Sequence, residues 1–316
     1  MHAREPSMKK HSSAFLAALI STAIAPVGAF AQEVDGIDIV VTGERPLEPA
    51  AIQDAVRDMA DEQRFDEPLL RFHDPLCLSV SGLGRVASAQ VRDRLLENAR
   101  AASVPVADEG CRANALVLVV DDPASLVVRI EKEQPRLISP AERRRIDAAL
   151  ARGETALVWH NEETRGAEGE ALRISTTAPG MPATGPFSEL SAETRVNSPG
   201  RARRVGATNS RAIVNGVVIL DLEHLVGMDL DRVADFATMR LLAPGMRAVP
   251  EASNGTGERE IAKPRSILAP FVAGRGAERM TLFDRAWLGA LYDLAPNAAS
   301  TRLAGAVAQI YASDGQ

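Results

Sequence analysis

Residues 76 to 121 constrain the fold most, because the chain there spells strand, helix and strand in succession and sets a cysteine beside each strand. Leu76 to Ser81 reads as a strand, Arg85 to Ala102 as a helix, and Leu116 to Val120 as an apolar strand closed by Asp121-Asp122-Pro123. In the helix, Val86, Val91, Leu95 and Ala99 form the inward stripe, and Arg92, Asp93, Arg94 and Glu97 face water. Cys77 and Cys111 are the two cysteines of the chain, so one intramolecular pairing exists. A metal pair or a reactive thiol are the alternatives, but there is no CxxC spacing and each cysteine flanks an apolar strand. The expectation is a β-α-β unit bound by a Cys77–Cys111 disulfide.

That disulfide requires an oxidising compartment, and the N-terminus supplies the route. Met8-Lys9-Lys10 is a basic start, Ala14 to Ala25 is apolar, and Ala29-Phe30-Ala31 is a small-x-small cleavage pattern. A membrane anchor needs about 18 to 20 apolar residues. This run is shorter and is followed by Pro26 and Gly28. We read residues 1–31 as a signal peptide cleaved after Ala31, and the product as periplasmic or secreted, with no transmembrane segment after Gln32. Loss of Arg4, Lys9, Lys10 and Glu5 leaves 33 basic and 41 acidic residues, a net charge near −8. An acidic surface argues against nucleic acid as a partner; the sequence does not name the partner, and a protein of the cell envelope is one option.

Residues 32–48 read as an extended leader and 49–313 as one domain. Pro49 to Gln63 has Ile52, Val56 and Met59 on one helical face. Ser139-Pro140-Ala141-Glu142 carries three agreeing helix-start signals, with the stop at Gly153, and Thr155 to Trp159 follows as a strand. Two stretches without periodicity, near 177–204 and 246–264, read as mobile loops, the first carrying Arg201, Arg203 and Arg204. Between them Ala212 to Asp221 is a β segment interrupted by Asn215-Gly216, which marks either a bulge or a hairpin. Asp229 caps a helix to Ala243 that is apolar nearly all round, with Asp231, Asp235 and Thr238 as its one polar strip. Two helices close the chain, the first capped by Thr281 with Asp284 and packing Phe283, Trp287, Ala290 and Leu291, the second packing Leu303, Val307, Ile310 and Tyr311. The expected fold class is α+β: a mixed sheet with a β-α-β unit, a central buried helix, two C-terminal helices and one disulfide.

Motifs for chemistry are sparse. Gly82-Leu83-Gly84-Arg85-Val86-Ala87 fits a dinucleotide fingerprint with Asp108 downstream, but export and the neighbouring disulfide favour a turn that needs two glycines. After Ala31 there are three histidines, His73, His160 and His224, with no HExxH and no pair at helical spacing. His73, Asp74 and Cys77 could meet a metal only with Cys77 reduced. No GxSxG elbow occurs. The reading therefore contains no cofactor and no metal site. Asp221, Glu223 and His224, clustered just past a strand end, are the candidate site residues.

Three stretches carry resemblances. Asp74-Pro75-Leu76-Cys77 through Gly82-Leu83, Gly110-Cys111-Arg112-Ala113-Asn114, and Val218 to Ala243 with its Val233-Ala234-Asp235-Phe236-Ala237-Thr238-Met239-Arg240 core together resemble exported proteobacterial proteins of unknown function. The β-α-β start, the central helix and the Thr281 to Tyr292 helix also resemble zincin-like secreted domains, with no histidine in the central helix to hold the zinc of that layout. Ile37-Asp38-Ile39-Val40-Val41-Thr42-Gly43 resembles the IVVTG segment near the mature N-terminus of TonB-dependent receptors. These resemblances and the composition lead to three expectations: a non-catalytic periplasmic binding or envelope protein, a hydrolase using dispersed residues around Asp221, Glu223 and His224, or an accessory to TonB-linked uptake.

Overall fold

The computed structural model describes residues 47–60, 67–175, 194–196, 207–247, 264–269, 271 and 274–315, all within one compact unit, Arg45–Gln316. The proposed signal peptide, the Ile37 to Gly43 leader and Arg201, Arg203 and Arg204 lie outside the described residues, as do most of the two loop stretches.

The sheet is built around one long strand, β7 (Asn209–Asp221). Strand β4 (Ala156–Gly166) runs antiparallel along its whole length. The other edge of β7 is shared by two parallel strands: β1 (Leu70–Arg71) beside Arg211 and Ala212, then β3 (Ala115–Val120) beside Gly216 to Asp221. Strand β2 (Leu78–Ser81) lies parallel outside β3. The chain must therefore leave β7 after β1 and cross to the far side of β3. Asn114 holds that crossing: its side chain accepts from the Cys77 N–H at 2.8 Å and donates to the Pro75 carbonyl at 3.0 Å, while its own carbonyl accepts from the Gly216 N–H. The Cys77–Cys111 disulfide spans 6.0 Å between Cα atoms at the same crossing. A small hairpin of β5 (Arg173–Ser175) and β6 (Thr194–Val196) follows β4, so the stretch read as a loop near 177–204 contains a strand.

Helices cover both faces, and the strand residues alternate accordingly. Ala115, Val117 and Val119 of β3 join Val218 and Leu220 of β7 in the larger core, against α1 (Pro49–Met59), α2 (Arg85–Ala101), α6 (Leu230–Leu242), α7 (Leu282–Asp293) and α8 (Leu303–Asp314). On the other face Val217, Ile219, Leu157 and Trp159 pack on α3 (Pro123–Glu133) and α4 (Pro140–Ala151). The architecture is α+β with a mixed sheet, a β2-α2-β3 unit, a central buried helix and one disulfide, as expected. Helix α3 was not anticipated; its Asp122 cap and Pro123 start repeat the Ser139-Pro140 signal but were read as the end of a strand.

Asn215-Gly216 is a bulge. The β4 register passes from Asn161 opposite Asn215 to Glu162 opposite Ile213, leaving Val214 as the extra residue. At Gly216 a Cβ would lie 2.8 Å from Leu241 Cδ1 and 3.2 Å from the Phe72 ring, so a larger residue would have to displace those side chains.

Helix α6 docks on α2 through its polar strip. Asp235, fully buried, accepts from Arg94 Nε at 2.9 Å, Asn98 Nδ2 at 2.8 Å and the Met280 N–H at 2.8 Å. Asn98 also donates to Thr238 Oγ1, which donates to the Ala234 carbonyl. Two side chains of α2 thus differ from their expected places: Arg94 turns inward to Asp235, and Val86 is 82% exposed instead of joining the inward stripe. Gln90 of α2 meets Asp231 in the first turn of α6, so Val86, one turn earlier, lies before α6 begins.

Asp235→Ala should lower the unfolding free energy by about 3 kcal/mol, since three donors lose a buried acceptor. Asp231→Ala, on the same strip but part-exposed, should cost less than about 1 kcal/mol. Urea unfolding of both variants measures the contrast. Reducing Cys77–Cys111, which closes a separation of 34 residues, should cost about 4 kcal/mol on the loop-entropy scale, read in the same assay with and without dithiothreitol.

Candidate functional site

Strands β3 and β7 are parallel neighbours in register, Val120 beside Asp221, so their carboxyl ends reach the same level. That edge of an open α/β sheet is where ligands commonly bind. Beyond β3 the chain enters Asp121-Asp122 and turns into α3; beyond β7 it enters Asp221 and the short helix α5 (Leu222–Leu225). The α4–β4 loop, turning at Gly153 with φ +63°, brings Glu154 and Thr155 to the same place, and the Thr155 carbonyl accepts from the Asp221 N–H at 3.1 Å. Together these segments line a half-open cavity of about 250 Å³ whose acidic wall is Asp121, Asp122, Glu154 and Asp221 and whose apolar wall includes Pro123, Leu150 and Leu157. His224 completes the lining, with Nδ1 3.3 Å from Asp221 Oδ2.

Of the three residues picked from the sequence, two come together. Asp221 and His224 line the cavity and face one another. Glu223 lies outside the lining; its contribution is a backbone N–H, which donates to Asp221 Oδ1 at 3.0 Å and starts α5. Asp121, Asp122, Glu154 and Thr155 escaped the sequence reading. Asp121-Asp122 was visible only as a strand stop, and nothing local shows that it meets a segment 100 residues later.

Asp122, Glu154 and Asp221 each accept hydrogen bonds from neighbouring groups. Asp122 accepts from the Ser125 side chain and N–H, and these bonds hold its carboxyl below the usual carboxylate range. Glu154 Oε1 accepts two bonds from Arg152, at 2.8 and 2.6 Å. Asp221 is shared between the α5 cap and His224. Chemically the cavity offers hydrogen-bond acceptors and negative charge above an apolar floor. Among the described residues no group of three or more His, Cys, Asp or Glu side chains has the geometry to hold a metal ion.

The other candidates have structural roles. Cys77 is in the disulfide and unavailable to a metal with His73 and Asp74. Gly82, at φ +98°, presses on β3, where a Cβ would fall 1.8 Å from the Val119 carbonyl oxygen; this contact accounts for the first glycine of the fingerprint-like turn. His160 hydrogen-bonds the Leu241 carbonyl through Nε2 at 2.9 Å, tying β4 to the C-terminal end of α6. Burial lowers its pKa from 6.5 to about 4.

Comparison with family models, with curated proteins and with solved structures gave no match.

Part of the pH dependence of stability follows from His160. Its folded pKa lies below its unfolded one, so below pH 6.5 the unfolded chain binds the extra proton. The stabilisation is complete above pH 6.5 and drains away as pH falls toward 4, about 3 kcal/mol in all. Urea midpoints between pH 7.5 and 4.5 should decline, and His160→Gln, which keeps a donor for Leu241, should lessen the decline without abolishing it, because the His73 pKa is lowered to about 4 as well.

Proposed function

We propose that this is an exported, non-catalytic binding protein that takes a small cationic group with an apolar stem in the cavity at the carboxyl ends of β3 and β7. The observation that carries this reading is the convergence of Asp121, Asp122, Glu154 and Asp221 over Leu150 and Leu157. A guanidinium or ammonium group would receive charge-assisted hydrogen bonds from the acidic wall, and its methylene stem would cover the leucines. Export rests on the Met8 to Ala31 pattern and agrees with the Cys77–Cys111 bond. The resemblance to exported proteobacterial proteins belongs to the same reading, as does a cell-envelope partner able to present a basic side chain.

The His224–Asp221 pair favours a second reading, hydrolysis, in which Asp221 orients the imidazole and His224 takes a proton from water. The binding reading uses more of the lining, because Asp221 is also committed to the α5 cap.

Calorimetric titration with agmatine, a guanidinium on a four-carbon stem, tests the proposal. Binding with a Kd on the order of 1 mM at low salt is expected, weakened severalfold by 0.5 M NaCl. Asp121→Asn removes one charge from the wall without touching either helix cap and should weaken it further. Equal binding of a neutral analogue, or an unchanged Kd in Asp121→Asn, would defeat the reading.

A further inference from the structure

At the opposite end of β4 and β7 from the cavity, the chain closes a turn over a histidine. The turn, Gly166 to Ala171, is held by its own backbone: the Gly166 N–H donates to the Glu170 carbonyl at 2.8 Å and the Gly169 N–H to the Gly166 carbonyl at 3.0 Å, with a bridge between Arg165 and Ala171. From outside the turn, Ser210 Oγ donates to the Gly166 carbonyl at 2.7 Å, and the β4–β7 ladder pairs Gly166 with Asn209. Gly169, at φ +86°, lies directly on His73; a Cβ there would come within 2.9 Å of Nδ1. His73 Nε2 is buried and has no hydrogen-bond partner.

We propose that His73 is an acid-sensitive latch: neutral, its ring fills the space beneath the Gly166–Ala171 turn; protonated, it drives that turn open.

The charges around the ring decide the direction. From β1 comes Arg71, whose guanidinium is turned to the Leu291 and Leu294 carbonyls at the end of α7. From β4 comes Arg165, bonded to Asp74 Oδ2 at 2.6 Å and paired with Glu163. From β7 the Arg211 carbonyl faces the ring, while the Arg211 guanidinium is taken by Glu162 and Glu67. The turn contributes Glu168 and Glu170, and Glu170 Oε2 accepts from the Glu168 N–H. The loop carrying His73 contributes Asp74, already neutralised by Arg165. An imidazolium would therefore stand between two guanidiniums, with a buried Nε2–H and the nearest carboxylate occupied. Burial and Arg71 lower the His73 pKa to about 4, Arg165 adds to this, and the Arg211 carbonyl and Asp74 oppose it. The closed turn, with Gly169 lying on the half-buried ring, thus resists the proton, and lifting the turn, whose residues are mostly exposed or half-exposed, gives the imidazolium the water it lacks.

Hydrogen exchange of the full, oxidised chain between pH 7 and pH 4, corrected for intrinsic rates, reads the latch directly. Protection of amides 166 to 172 should fall about tenfold while that of α6 holds. His73→Gln cannot titrate and should abolish the drop; Asp74→Asn should leave it in place. A drop that persists in His73→Gln would assign opening to the carboxylates around Arg165 and overturn the proposal. If His73→Gln does not fold, the wild-type ring decides by NMR: a His73 midpoint that coincides with the opening supports the latch, and one near 6.5 with the turn still closed overturns it.

Discussion

A single buried carboxylate governs how the larger half of the molecule is assembled. Asp235 sits on the inner face of α6 with no solvent to stabilise its charge, so it persists only because α2 supplies Arg94 and Asn98 and the segment before α7 supplies the Met280 N–H. Three elements distant in sequence must converge for that one charge to be buried at acceptable cost. A second buried carboxylate repeats the device one step further on. Asp284 accepts from Ser266 Oγ, the Ile267 N–H and the Thr281 N–H, which fastens the 264–269 segment to the start of α7. Its burial raises its pKa, and the donors around it oppose that shift. The apolar contacts make the core compact; these two carboxylates fix which helix lies where.

Strand β7 imposes the second constraint. Serving β1 and β3 in turn along one edge requires a place where the first neighbour leaves and the next arrives, and there the ladder is irregular. The Val214 bulge, Gly216 and Asn114 all sit at that place. Gly216 allows Phe72, leaving β1, to pass close to the strand, and Asn114 supplies from its side chain the bonds that an interrupted ladder lacks. The disulfide covers the same crossing from outside. A bulge, a glycine, an amide side chain and a disulfide thus converge on one topological problem.

How far the sequence could be read follows from the range of each interaction. Helix α7 was legible because its capping box is local, with Thr281 and Asp284 three residues apart. The same holds for α4 and its Ser139 cap, and for the β2-α2-β3 unit, whose alternation and turn lie in one stretch. Arg94 was misjudged because helical periodicity gives a residue's angle around the axis, while its partner Asp235 lies 141 positions away. Val86 fails for a related reason: it shares the apolar angle, but α6 does not extend far enough to cover it. At the candidate site, Asp221 and His224 were within reach because i to i+3 proximity on a short helix is local, whereas Asp121 and Asp122 depend on β3 and β7 being neighbours.

That adjacency also explains why the acidic groups gather at this edge. Asp122 and Asp221 both cap helices, α3 and α5, that begin where their strands end, and a carboxylate in that position is stabilised by the free N–H groups of the first turn. Two parallel strands of matched register therefore set two cap carboxylates side by side as a consequence of their own local structure. Asp121 and Glu154 are not needed for either cap, yet both line the cavity, and Glu154 is charge-balanced by Arg152 from its own turn. Helix capping thus accounts for half of the acidic wall. Capping does not explain Asp121 or Glu154, and it is their arrival beside the two cap carboxylates that makes the wall acidic on every side.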